Sequence, residues 1–292
     1  MIKLALISEG VNTWPVYVAQ SLGFWRQAGV EVEVTVTGSS IRQLNALRSG
    51  GFDIGFQQVD HVVRSVEEGA DLFVFMGQSH APALSLMVSP DINRIGDLKG
   101  KNIVVDDERT GYSLLLKKLF SEHGLTESDT HFKNVGGSQE RYQAMKNGEG
   151  AACFINAPFD RNLITSKLKC LGTSSDFFPQ YPGPIAAARR AWAREHKAEL
   201  VAFIRGFNLA YAWLQDAANH EAAVRLLPGH LDTPAELALQ SLTRVYSQPL
   251  PQLTEAGVGQ AIELVWAAEK YAAPKGVPSK YMDMSFLRAA DG

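Results

Sequence analysis

Gly38-Ser39-Ser40-Ile41-Arg42-Gln43-Leu44-Asn45-Ala46-Leu47-Arg48-Ser49-Gly50-Gly51-Phe52-Asp53-Ile54-Gly55-Phe56 reads as a loop, a capped helix, a glycine stop and a strand. The pattern returns 98 positions later, without a gap, as Gly136-Gly137-Ser138-Gln139 through Gly148-Glu149-Gly150-Ala151-Ala152-Cys153-Phe154. Gly38/Gly136, Ser40/Ser138, Ala46/Ala144, Gly50/Gly148 and Phe56/Phe154 are identical, and Leu47/Met145 and Arg48/Lys146 are similar. The same offset lays Trp14 on Tyr112. A repeat of this length implies two similar lobes.

The flanking sequence fits. Ile2 to Ile7 is an apolar strand, and Pro15 opens a helix, where its fixed φ and missing N–H do no harm. Gly29 follows that helix as a stop. Val30, Val32, Val34 and Val36 alternate with polar residues, which marks a half-buried strand at a sheet edge. Val59, Val62, Val63 and Val66 make the buried stripe of a helix, and Leu72 to Met76 is a continuous apolar strand. A second round of strands is read at Asn102 to Val105, Phe132 to Val135 and Ala151 to Ile155. Such alternation implies an α/β fold, here two doubly wound lobes with mostly parallel sheets. From about residue 189 to 270 the pattern is helical, with Leu200, Phe203, Ile204, Phe207, Tyr211 and Leu214 on one face. Pro179 to Pro184 reads as a rigid connector, and a second is placed at Ser89-Pro90, after the extended run Leu84 to Val88. The expected division is a discontinuous first lobe of residues 1–88 and 185–292, including the helical tail, and a second lobe of residues 89–184. Two crossings make a two-segment hinge.

Composition removes other classes. A hydrophobic share of 46% excludes disorder, and a net charge of -3 argues against nucleic acid as a partner. No apolar run is long enough for a membrane span, and the first residues lack a signal-peptide core. The chain is therefore expected to be cytoplasmic or a mature form without its leader. Cys153 and Cys170 have neither disulfide-framework nor zinc spacing and are expected to be two buried thiols. No Walker loop, dinucleotide fingerprint or nucleophile elbow occurs, so neither metal nor cofactor is expected.

Ligands of open parallel sheets sit beyond the carboxyl ends of the strands. That edge carries Asn12 and Trp14, then Gly38, Ser39 and Ser40, Gln57 and Gln58, Ser79 and His80. From the second lobe it carries Arg109, Thr110, Tyr112 and Ser113, then Gly137 and Ser138, and Asn156. Helix N-termini there favour anions. Trp14 and Tyr112 are read as aromatic walls of one pocket. Ser39, Ser40, Thr110, Ser113, Gly137 and Ser138 are read as donors, and Gln57, Gln58 and Asn156 as its polar rim. Arg109 either clamps a carboxylate or sulfonate or pairs with Asp106, Asp107 or Glu108.

Three stretches resemble a known family. They are Trp14-Pro15-Val16-Tyr17-Val18-Ala19-Gln20 with Leu22-Gly23-Phe24-Trp25 and Gly29-Val30-Glu31-Val32, then Leu47 to Gly55, and Asp97-Leu98-Lys99-Gly100-Lys101-Asn102-Ile103-Val104-Val105. Ala193 to Leu227 resembles the same family's return segment. The family is the sulfonate, taurine and pyrimidine-precursor binding proteins of ABC importers. The resemblance implies a type II periplasmic-binding-protein fold and a monomer that delivers a small organic anion, a sulfonate or an aromatic carboxylate, to a membrane permease. It also implies a periplasmic mature form. The chain departs from the family in three ways: no leader or lipoprotein cysteine, no Asn-rich, His-containing first loop although Asn12-Thr13 remains, and no cysteine-rich run, with Cys153 standing alone; the last two argue against thiamin-precursor work. The alternative is a cytoplasmic enzyme of the same fold, acting on an aromatic acid or a cofactor precursor, with His80, Asp106, Asp107 and Cys153 as its acid–base candidates.

Overall fold

Short apolar runs punctuated by glycine build the first lobe in a computed structural model that describes residues 1–78, 84–231, 233–250 and 252–291. Its elements are β1 (Ile2–Leu6), α1 (Trp14–Ser21), α2 (Phe24–Gln27), β2 (Val32–Val36), α3 (Ser40–Ser49), β3 (Ile54–Gln57), α4 (Val59–Glu67) and β4 (Leu72–Gly77). The helix opened at Pro15 does not run through to Gly29. Gly23, in the left-handed region at φ 73°, divides it into α1 and α2.

The second lobe follows with β5 (Leu84–Val88), β6 (Lys101–Val105), α5 (Gly111–Glu122), β7 (Thr130–Asn134), α6 (Ser138–Lys146), β8 (Ala152–Asn156), α7 (Phe159–Thr165), β9 (Lys169–Thr173) and α8 (Ser174–Phe177). The chain then returns through β10 (Ile185–Arg189) to the helical tail: α9 (Arg190–Glu195), α10 (Lys197–Gln215), α11 (His220–Arg225), α12 (Ala235–Tyr246), α13 (Glu255–Glu269) and α14 (Ser285–Asp291).

Among the described residues the strands form two five-stranded sheets, ordered β2-β1-β3-β10-β4 and β7-β6-β8-β5-β9. The orders correspond position by position, as the internal repeat requires. In each sheet the fourth strand runs antiparallel to its neighbours: β10 to β3 and β4, and β5 to β8 and β9. Each of these strands follows a crossing, so each lobe is stitched by a strand next to the crossover.

The topology corrects the sequence reading at one boundary. Leu84–Val88 was placed in the first lobe, but it pairs with β8 from Leu84↔Asn156 to Val88↔Ala152. The first crossing therefore precedes Leu84, and Ser89-Pro90 is only the exit from β5. Residues 179–184, between α8 and β10, form no helix or strand. Strands β9 and β10 are additions the reading did not contain. Cys170 is exposed, against the expectation of two buried thiols, while Cys153 is buried.

Three apolar clusters hold the molecule. Leu4, Leu6, Phe56 and Phe75 pack under Phe203, Ile204 and Phe207 of α10. Burial of each such side chain stabilises the fold by about 1.5–3 kcal/mol. A second cluster passes unbroken from Val59, Val62 and Val74 of the first lobe to Leu86, Ile103 and Leu115 of the second, with Val258, Ile262 and Val265 of α13 packed into it. Helix α13 is thus wedged against both lobes. The third cluster covers the other face of the second sheet with Met145, Phe159 and Leu163, and it receives Leu231 from the tail.

Candidate functional site

The strand ends of both lobes open onto one cavity of about 100 Å³. From the first lobe it is lined by Ser8, Asn12, Thr13, Gln57, Gln58, His61 and Gln78. The second lobe supplies Asp106, Thr110, Tyr112, Ser113, Gly137, Ser138, Arg141 and Asn156. The N-terminal turns of α4, α5 and α6 all meet it, and first-turn N–H groups have no carbonyl within their own helix. Helix α5 starts after Thr110 and α6 after Gly137, because each of these residues takes an extended conformation just before its helix. Neither start is closed by a capping side chain.

The polar chemistry of the lining is incomplete. Gln57 Nε2, Gln58 Oε1, His61 Nε2, Tyr112 OH, Arg141 Nε and Asn156 Oδ1 are buried and have no hydrogen-bond partner among the described residues. Asn12 Oδ1 is in the same position. Buried polar atoms are almost always paired, with protein, water or ligand, so this concentration makes the cavity the candidate site. Arg141 supplies the positive charge. Its Nη1 donates to Gly136 O at 3.1 Å and its Nη2 to Ser138 Oγ at 3.1 Å, and no carboxylate among the described residues pairs with it. Burial holds the Tyr112 hydroxyl well above its ordinary range, with the Asp60 charge adding and the Arg141 charge opposing. Tyr112 therefore stays protonated and can donate. Its ring packs edge-on against Phe154 and Tyr181, at 6.2 and 5.9 Å between centroids.

The family described as NMT1/THI5 like matches residues 11–220. This chain belongs to the NMT1/THI5-like family. It is 20% identical over 273 residues to YtlA of Bacillus subtilis (strain 168), whose name proposes a binding role; the match covers 87% of this chain and 79% of that protein. Among solved structures it resembles the alkanesulfonate-binding protein SsuA from Xanthomonas axonopodis pv. citri, bound to MOPS. There the TM-score is 0.77, with 16% identity and 97% of both chains covered. It also resembles the periplasmic nitrate-binding protein NrtA from Synechocystis PCC 6803. That TM-score is 0.81, with 13% identity over 99% of this chain and 87% of that one. The likeness establishes the periplasmic-binding-protein fold of two α/β lobes with a helical C-terminal region.

In this NMT1/THI5-like chain, nine of the residues picked from sequence line the cavity: Asn12, Gln57, Gln58, Thr110, Tyr112, Ser113, Gly137, Ser138 and Asn156. Trp14 does not. Its side chain is 0% exposed, lies in the first-lobe core and donates Nε1–H to Ala223 O at 2.8 Å. Arg109 is also off the cavity, exposed and paired with Glu269 at 3.1 Å. Ser39 is a plain helix cap that accepts from Arg42 N, and neither it nor Gly38 nor Ser40 lines the cavity. Gly38 lies instead at the cleft wall, where its carbonyl would be 3.4 Å from a Cβ on Gly136. Ser79 and His80 lie outside the described residues. Thr110 and Ser113 are not the free donors expected, because both hydroxyls donate to Asp107 O, at 2.9 and 2.7 Å.

Two further lining residues, His61 and Arg141, were not among those picked. Both lie inside the first turn of a helix, whereas the sequence reading searched the loops. Of the enzyme candidates, Cys153 is fully buried, and burial pushes its thiol up to about 12. It is a packing residue rather than a nucleophile.

Proposed function

We propose that this chain is the solute-capturing component of an ABC-type importer and takes a small organic anion into the cleft between its lobes. The observation that carries the reading is Arg141, a half-buried guanidinium without a carboxylate partner among the described residues, set beside two uncapped helix N-termini and a group of unsatisfied buried polar atoms. That combination favours an anionic group with oxygens to share between a guanidinium and N–H donors. Tyr112 and Phe154 supply the apolar side of the pocket. The relatives' names support a binding role over catalysis, and the partner that follows is a membrane permease. None of the described helices is long and apolar enough to cross a membrane, and a periplasmic working place follows from the same reading.

A thermal-shift screen over alkanesulfonates, aromatic carboxylates and nitrate tests it. A bound anion raises the melting temperature once it exceeds its dissociation constant. A flat response to all three classes rejects the anion reading.

A further inference from the structure

His61 is 2% exposed, lines the cavity, and is not needed to complete the fold's hydrogen bonding on both sides of its ring. Its Nδ1 lies 2.8 Å from Gln57 Oε1; with the amide oxygen in that position, the ring proton sits on Nδ1. The neutral ring then presents a bare lone pair at Nε2, which has no hydrogen-bond partner among the described residues. A lone pair repels an anion's oxygen, and a protonated Nε2 would donate to it. We infer that His61 is a specificity residue whose Nε2 takes up a proton from solvent when the anion binds, so that ion and proton are captured together. The inference rests on the anion reading above.

The surroundings fit such a coupling. Asp60 Oδ2 lies 3.8 Å from His61 Nε2. That carboxylate is already engaged by Arg64 Nη1 at 3.3 Å and by the Tyr181 hydroxyl at 3.4 Å. The other charged groups on the cavity are Asp106 and Arg141, and the Tyr112 hydroxyl is neutral. One proton from solvent joins one anion, so the captured pair adds no net charge to the cavity.

Calorimetry of the wild-type chain with ethanesulfonate, benzoate and nitrate, in Tris and in bis-Tris at near-neutral pH, tests this. The difference in heat between the buffers counts protons. The expected result for a binding probe is uptake approaching about one proton, with affinity falling by up to about tenfold per pH unit as the pH rises. His61→Gln should bind more weakly, without uptake and with a flat pH profile. In ¹⁵N NMR of the wild-type imidazole, Nε2 should move from the unprotonated to the protonated range on adding the probe, a signature that does not depend on any variant folding. Binding without proton uptake, an Nε2 that stays unprotonated, or uptake that persists in His61→Gln would each overturn the inference, the last by assigning the proton to Asp106. If none of the three probes binds, the anion reading fails first and the coupling falls with it.

Discussion

Trp14 and Tyr112 occupy equivalent places in the repeat and have different fates. Tyr112 packs on Phe154 and keeps its hydroxyl on the cavity. Trp14 is covered by the tail, whose Ala223 carbonyl accepts its N–H. Nothing local to Trp14 announces a partner 209 positions away, so a ring beside a helix start reads as a pocket wall until the tail is placed. Trp14→Ala should therefore lower unfolding stability by about 3–5 kcal/mol. The folded fraction should bind with nearly unchanged affinity. Denaturant melts paired with calorimetry check this, and lost affinity at unchanged stability would return Trp14 to the site. Arg141 is the converse case. Helical side chains lean toward the N-terminus, so a residue in the first turn of α6 reaches the loop edge without belonging to the loop. Arg141→Gln should weaken anion binding by roughly tenfold to a hundredfold, the loss of about 1.5–3 kcal/mol of charge-assisted hydrogen bonding. Melting of the free protein should hardly move. Equal affinity in the variant would remove Arg141 as the anion's partner.

At the scale of elements, the long periodic segments were legible and the short ones were not. Val32–Val36 alternates and sits at a sheet edge as expected. Helices α3 and α6 begin at the repeat-related Ser40 and Ser138, but only α3 carries a side-chain cap, from Ser39. Ile185–Arg189 is an alanine-rich strand with little intrinsic preference for a sheet, and it forms because β3 and β4 offer both of its edges. Helix α13 was read correctly as a helix, but its position against both lobes was invisible, since that depends on where α4 and α5 meet. At its end, Arg64 Nε donates to Glu269 Oε1 at 2.6 Å and Arg64 Nη2 to Arg109 O at 2.8 Å, while Arg109 Nη2 also reaches Glu269. Partial burial alone would raise the Glu269 carboxyl, but the hydrogen bonds from Arg64 and Arg109 outweigh it and hold the group below its ordinary range. A depressed folded pKa gives stability that is present above the unfolded value, about 4.3, and lost as pH falls through the folded one. Glu269→Gln should thus cost about 1 kcal/mol at neutral pH, and the gap from wild type should close below the ordinary carboxylate range. A gap that stays constant down to acid pH would show that the charge of Glu269 is irrelevant to the junction.

At the scale of the molecule, the two sides of the cleft are joined by different chemistry. On one side α13 and its apolar cluster run continuously through both lobes. On the other, the tail sends an arm across: Leu231, 3% exposed, enters the second-lobe cluster, and Arg244 Nη2 meets the buried Asp160 Oδ2 at 3.2 Å. Asp160 also accepts from Ser85 Oγ at 2.7 Å and from Arg161 N at 2.8 Å, so it keeps partners if Arg244 withdraws. Along the same cleft the backbones touch closely: a side chain on Gly10 would collide with Asn156, and Gly10 sits at φ 149°, where glycine is favoured. On the proposed reading as a two-lobed binder, the cleft opens where contacts are fewest and most easily exchanged for water, at the arm rather than the α13 wedge. Contacts made only on closure contribute to ligand retention and not to the stability of the open protein. Leu231→Ala should then raise the dissociation rate of a bound anion by at least about tenfold, a loss of roughly 1.4 kcal/mol in the closed complex. The melting temperature of the free protein should barely change. Stopped-flow release and melting of the same preparation decide the matter. A melting loss of full Leu→Ala size, about 2–5 kcal/mol, with an unchanged release rate would mean that the arm is docked permanently and that the cleft opens elsewhere.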